Sequence, residues 1–230
     1  MEIPENSQSL DRRIREGLSR IAMVMRVDDW NRAKAAGLNP TQLAILSSLA
    51  ARDGTGLTVK EIAAHLGVSQ PTATDSINVL ERKGYLAKMP DPRDGRAVSI
   101  RLTSEGAAAL GAGEAGGGLT GEAVDALDDR EQEALLLSLV RMIRRLQEND
   151  AIPVQRMCVT CRHFSPFAHA GARRPHHCHF VDAPFGQAEI RVDCRDHREA
   201  DPAVRAAAWA AFQSGSAAYC GEPSSCAGRL

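Results

Sequence analysis

The sequence predicts a mainly α-helical chain with one small β-hairpin, followed by a cysteine-rich appendage. Three observations carry that expectation. Apolar residues recur at three- and four-residue spacing through most of positions 1–150, a Pro/Asp/Gly turn separates two β-prone runs within 85–103, and no cysteine precedes Cys158. The 230 residues suffice for one large domain or for a medium one with an appendage. A boundary near residue 150 is expected, giving domains 1–150 and 151–230, because all six cysteines and six of the seven histidines follow Pro153.

The 28 Lys+Arg balance 29 Asp+Glu, so binding to nucleic acid would have to come from a local patch. The opening "MEIPENSQSLDRRIREG" has no apolar signal segment, and nowhere do about twenty apolar residues run together. A soluble cytoplasmic protein with no membrane partner is expected. In a reducing compartment, clustered cysteines hold a metal or do redox work more often than they form structural disulfides.

Leu10, Ile14, Leu18, Ile21 and Met25 predict one long amphipathic helix from Leu10 to about Ala35. In "NPTQLAILSSLAARDG", Asn39 is an N-cap, Pro40 the first helical residue and Gly54 lies just past the end. "LTVKEIAAHLG" places Thr58 and Glu61 in capping-box register, with Ile62, Ala63 and Leu66 on one face and Gly67 as the stop. "VSQPTATDSINVLERKGYL" starts at the N-cap Ser69, turns Val68, Ala73, Ile77 and Leu80 inward, and ends at Gly84. Two short helices joined through "GVS" make a helix-turn-helix. The hairpin "YLAKM", "PDPRDGR", "AVSIRLT" follows directly, which makes it a winged helix. In such a fold the second helix suits the DNA major groove, and the hairpin tip carries cations to the backbone or minor groove.

Over roughly residues 10 to 150 the chain resembles the MarR family of bacterial transcriptional regulators. The resemblance rests on "LTVKEIAAHLGVSQPTATDSINVLERKGYLAK" and on the wing "DPRDGRAVSIRLTSEG", which matches D-x-R-x-x-R at Asp91, Arg93 and Arg96. The resemblance implies that Arg93 reaches DNA from the wing tip, while Asp91 and Arg96 fix the wing and add charge. The outward polar residues expected on the second helix are Ser69, Gln70, Thr72, Thr74, Ser76 and Asn78, as base-contact candidates or as ordinary exposed positions. Asp75 departs from the family, which commonly has a basic residue there. It repels phosphate, yet a carboxylate also accepts from cytosine N4. The remaining basic patch comprises Lys60, Arg82, Lys83, Lys88, Arg93, Arg96 and Arg101.

"LDDREQEALLLSLVRMIRRLQEN" is a further amphipathic helix whose Leu135, Leu139, Met142, Ile143 and Leu146 are too apolar for a free surface. The resemblance implies a homodimer, with first and last helices of two protomers interlocked and two recognition helices spaced for a palindromic double-stranded operator. It also implies a repressor that responds to a small aromatic inducer, for which Met25 and Trp30 are candidate lining residues as well as core candidates. Seven glycines between Gly106 and Gly121 stand where the family has a long helix, and each interior Gly costs about 1 kcal/mol against Ala. A broken or short connector is expected.

In the tail, Cys158-x2-Cys161 is followed by sixteen residues to Cys178 within "HHCH", and fifteen more lead to Cys194-x2-His197. Zinc takes four N or S ligands tetrahedrally, and a C-x-x-C turn offers two thiolates to one ion. The expected tetrad is Cys158, Cys161, Cys178 and Cys194, with His197 or His177 as alternates for one member, and with Phe164, Phe167, Phe180 and Phe185 packed beside it. An iron–sulfur cluster takes the same thiolates, and metal-free redox thiols are a third reading. Enzyme readings fit poorly: c-type haem attachment needs C-x-x-C-H but Arg162 intervenes, the zinc-deaminase pattern is absent, and no βαβ pattern surrounds the C-x-x-C. Asp201 and Pro202 open a last helix pinned by Trp209 and Phe212, and Cys220 and Cys226 beyond it read as free thiols, a disulfide or a second sensing pair.

Overall fold

The computed structural model describes residues 9–52, 56–90, 98–112 and 118–217. The chain divides into two compact units, Met1–Asp128 and Asp129–Leu230.

The first unit begins with helix α1 (Leu10–Ala35), followed by α2 (Pro40–Ala50), α3 (Val59–Leu66) and α4 (Gln70–Arg82). Asn39 caps α2 by accepting from Gln42 N at 2.9 Å, and the Gln42 side chain accepts from Asn39 N in return. Thr58 and Glu61 close the same reciprocal box at α3. Gly67 then takes the left-handed conformation (φ 65°) that reverses the chain between α3 and α4, and Ser69 caps α4 through Thr72 N. Strands β1 (Leu86–Pro90) and β2 (Val98–Leu102) pair antiparallel with Leu86 opposite Leu102 and Pro90 opposite Val98, and Leu57 bridges to Ile100. The core is aliphatic: Leu43, Ile45, Leu46, Ile62, Ile77, Leu80, Leu86 and Ile100 are buried together.

Within the glycine-rich connector the described residues form α5 (Ser104–Ala112) and α6 (Gly118–Asp125), and the stretch between them, on which the expected break falls, lies outside the described residues. The buried Asp28 of α1 anchors the start of α6, accepting from Leu119 N at 3.1 Å, Thr120 N at 2.9 Å and Thr120 Oγ1 at 2.7 Å. These bonds hold its carboxyl below the ordinary carboxylate range, the Thr120 hydroxyl being the largest cause. Gly118 is required at this joint, since it has φ 64° and a Cβ there would come within 2.7 Å of the Asp28 carboxylate.

The second unit contains α7 (Asp129–Glu148), strands β3 (Phe164–Ser165), β4 (His176–Cys178) and β5 (Ala183–Phe185) in the antiparallel order β3-β4-β5, and α8 (Pro202–Ala217). By packing, the division therefore falls at Asp128/Asp129, about twenty residues before the expected boundary, because α7 shares a core with the cysteine-rich segment. That core joins Val140 of α7 to Met157, Val159, Phe164, Ile190, Trp209 and Phe212. Ile143, expected on the apolar partner-seeking stripe of α7, packs against this core instead. His176 is fully buried among aromatic rings, with Phe167 at 4.8 Å, Phe164 and Phe185 at 5.4 Å and Phe212 at 5.6 Å between centroids. Phe180, expected in the same cluster, is instead half exposed beside His163.

Candidate DNA interface and thiol cluster

Helix α4 turns Ala73, Ser76, Ile77 and Leu80 into the core and leaves Ser69, Gln70, Thr72, Thr74 and Asp75 exposed at its N-terminal half. Ser76, expected to face outward, is buried because it falls one turn from Ala73 and Leu80 on the packed face. Several outward side chains already have local work. Ser69 Oγ and Thr72 Oγ1 are 2.8 Å apart, and Thr74 Oγ1 donates to Gln70 O at 2.8 Å. Asn78, half-buried, accepts from Lys88 Nζ at 2.9 Å, and the same ammonium pairs with Glu81 at 2.6 Å. Lys83 Nζ donates to Gly37 O at 2.7 Å. Two lysines of the expected basic patch therefore tie elements together, Lys88 joining β1 to α4. Glu81 offsets the charge of Lys88, which leaves less of it for phosphate, whereas Lys83 keeps its charge and loses only freedom of position. Asp91, Arg93 and Arg96 lie outside the described residues.

Among the described residues, two helices carry exposed apolar faces. On α1, Leu10 (69% exposed), Ile14, Ile21, Met25 and Trp30 (61%) stand open to solvent. On α7, Leu135, Leu139, Met142 and Leu146 form an exposed stripe at helical spacing, opposite the face that carries Val140. Patches of this kind mark surfaces that associate.

In the second unit, one framework positions the thiols. Cys158 begins a 3-10 turn (Cys158–Thr160) closed by Cys161 N to Cys158 O at 2.9 Å. The Cys194-x2-His197 segment closes the same bond, His197 N to Cys194 O, at 3.2 Å. These two turns are laced to each other's flanks: Cys158 N donates to Arg191 O (3.0 Å), Cys194 N to Arg156 O (2.8 Å), Arg162 N to Arg198 O (2.8 Å), and Cys161 bridges Glu199. Cys178 enters on β4, opposite Phe164 of β3.

Arg191 contacts two of the sulfurs, its backbone N–H reaching Cys158 Sγ at 3.3 Å and its guanidinium reaching Cys194 Sγ at 3.8 Å. Burial pushes the Cys158 thiol up to about 11; the Arg191 N–H works against this, and the neighbouring Cys194, Cys161 and Cys178 add to it. The four described cysteines are free thiols. Their type and number suit a thiophilic ion. Among the described residues, no group of three or more His, Cys, Asp or Glu side chains is arranged so that it could hold a metal ion.

The two alternates differ. His197 is half-buried with Nε2 3.0 Å from Thr160 Oγ1. Thr160 Oγ1 also lies 2.7 Å from Gln155 O, so its proton goes to that carbonyl, Nε2 is the protonated nitrogen, and Nδ1 keeps a lone pair. Burial lowers the His197 pKa. His177 alternates with Cys178 along β4 and projects from the opposite face, toward His169 and Asp182. Cys220 and Cys226 lie outside the described residues. Sequence reasoning missed Arg191, Thr160 and Asp28, none of which carries a motif; each is recruited from far along the chain or from an unremarkable helix position.

The first unit is a winged helix-turn-helix, the class defined by α3, α4 and the β1–β2 hairpin. Residues 36–97 match the MarR family model, so this segment is similar to that family. An uncharacterized HTH-type transcriptional regulator of Bacillus subtilis, YkoM, is 36% identical over 74 residues, covering 32% of this chain and 47% of that protein. The transcriptional activatory protein BadR of Rhodopseudomonas palustris is 35% identical over 74 residues, covering 32% and 42%. The chain thus spans just under half the length of the curated relatives it matches. The crystal structure of a MarR transcriptional regulator from Methanosarcina mazei covers 60% of this chain and 98% of its own, with TM-score 0.51 and 20% identity, a likeness of fold. Among the described residues no helix is long and apolar enough to cross a membrane.

Proposed function

We propose that the chain is a homodimeric, sequence-specific DNA-binding transcription regulator of the repressor type. The observation that carries this reading is the exposed N-terminal half of α4, where Gln70, Thr72, Thr74 and Asp75 project from a helix whose other face is locked into the core. Such a helix fits the major groove, and each good base contact is worth about 1–3 kcal/mol of discrimination. Arg93 and Arg96 of the wing supply the phosphate contacts by family likeness. A second copy covers the apolar faces of α1 and α7, since a palindromic site needs two recognition helices about one DNA turn apart. A small-molecule inducer that alters this spacing lowers operator affinity.

The cysteine cluster, in the same reading, holds one zinc ion through Cys158, Cys161, Cys178 and Cys194. The mirrored turns at Cys158 and Cys194 and the N–H bond to Cys158 Sγ support it, because such donors orient thiolates around a metal. Bound there, zinc would cross-link the two turns to β4. Elemental analysis of protein purified without added metal should find one zinc per chain, and a visible absorption would instead signal an iron–sulfur cluster.

The regulatory reading is tested by anisotropy titration of the full chain on its own upstream DNA at several salt concentrations. Tight binding that weakens steeply with salt, and that Arg93→Ala reduces with a shallower salt slope, is the expected result. Binding that is independent of salt, or a chain that stays monomeric, overturns it.

A further inference from the structure

The face of β4 that turns away from the cysteines carries its own cluster of nitrogen ligands. His177 Nε2 lies 3.2 Å from Asp182 Oδ1, and His177 Nδ1 lies 3.1 Å from His169 Nε2. A carboxylate only accepts, so His177 carries its proton on Nε2 and presents the Nδ1 lone pair toward His169. His169 is brought back over the strand by a closed loop, in which His169 N donates to Pro175 O and Ala172 N donates to His169 O. Asp182 has the left-handed φ of 49° and its side chain is 92% exposed, whereas the His177 side chain is only 14% exposed. The imidazole is therefore fixed by its surroundings and its carboxylate partner lies on the outside. His179, two positions along, shares this face, with its ring 4.7 Å from that of His177 and its Nε2 held by Ser165 Oγ at 2.8 Å.

We propose that His169 and His177, with Asp182 orienting His177, form a second cation site that takes a late first-row divalent ion on imidazole nitrogen alone. Two nitrogens that each bind one ion at about 2.0–2.1 Å stand roughly 3–3.4 Å from each other, which is the separation the two rings already have. The bridging proton on His169 Nε2 moves to Nδ1 when the ion takes its place, so the rings stay neutral and no net charge is displaced. Asp182, His177 and the ion then form the carboxylate–histidine–metal arrangement that fixes the tautomer and the ring orientation. Imidazole ligands favour nickel, copper and zinc over manganese and magnesium. Water fills the remaining positions, and His179 is the nearest further imidazole. The site differs from the thiol cluster in ligand chemistry and lies on the other face of the strand, so the two load independently.

The test is calorimetric titration of Ni2+ into the untagged, full-length protein, with absorption spectra of each sample and its zinc content by elemental analysis. One Ni2+ should bind without thiolate-to-metal charge-transfer absorption. His169→Ala and His177→Ala should each weaken that binding at least tenfold, and Asp182→Asn roughly tenfold, with unchanged helical circular dichroism. No nickel binding, binding indifferent to both histidine substitutions, or binding only with thiolate charge transfer overturns the proposal. The zinc content reads the cysteine cluster separately, so failure of that site is distinguishable from failure of this one.

Discussion

The two units reach a folded state by different physics. In the first, Leu46, Ile45, Ile62, Ile77, Leu80 and Ile100 pack between helices that are each long enough to bring a whole apolar stripe, and the helix ends are closed by their own side chains. In the second, the strands are two or three residues long, and burial centres on a histidine ringed by phenylalanines and on one face of α7. Aliphatic burial on regular helices needs no cross-link, whereas short irregular segments lose as much conformational entropy per residue and recover less of it by packing. The second unit is therefore where a metal would contribute most, and α7 is the element that would feel its loss, since its inner face is part of that core and its outer face is apolar and uncovered.

Stripping metal with a chelator breaks the comparison most sharply. Apparent zinc binding energies of about 10–16 kcal/mol in small zinc modules mean that the second unit should unfold while the first keeps its helices. Trp209 is buried in the second unit, so a red shift of tryptophan emission on chelation, read in a Trp30→Phe background, reports that unit selectively. A metal-free sample with unshifted emission removes the metal from the account of stability.

Single truncations separate the two cores next. Phe212→Ala should cost about 3–5 kcal/mol and appear in the Trp209 emission transition, and Leu46→Ala about 2–5 kcal/mol in the first unit alone. Denaturant melts followed by emission and by helical dichroism should move apart in opposite senses for the two variants. Common shifts would show that the units unfold as one.

Smaller effects sharpen the account of the first unit. Thr58→Ala removes an acceptor for Glu61 N, a bond of 3.2 Å, and should cost about 0.5–2 kcal/mol in chemical denaturation. Asp28→Asn tests the joint at α6. The Asp28 pKa is lowered on folding, so its contribution is fully present above the ordinary carboxylate value of about 4 and is lost as pH falls through the lower folded value. The stability gap between wild type and Asp28→Asn should narrow as pH is taken down toward 3, and a gap independent of pH would mean that the charge is not what matters.

Local chemistry made much of this legible. Asn39, Thr58, Ser69 and Gly67 marked helix ends because caps and left-handed turns depend on residues within one turn of the chain, and the hairpin after α4 followed from its turn residues. The outward polar set of α4 was largely readable from period, but Ser76 was not, since a small hydroxyl fits either face. Lys83 and Lys88 looked like free cations because their partners, Gly37 O, Asn78 and Glu81, are visible only after folding.

The sequence by itself determined the winged helix and the thiol spacing, since both are set by residues a few positions apart. Tertiary structure alone decided that α7 joins the cysteine-rich unit and that His177 faces away from Cys178 toward His169 and Asp182. It also decided that Arg191 reaches two sulfurs. The reason is that an amphipathic stripe announces that a face will be covered but not by what, and a histidine beside a cysteine takes its direction from strand register, which is settled by pairing with distant segments.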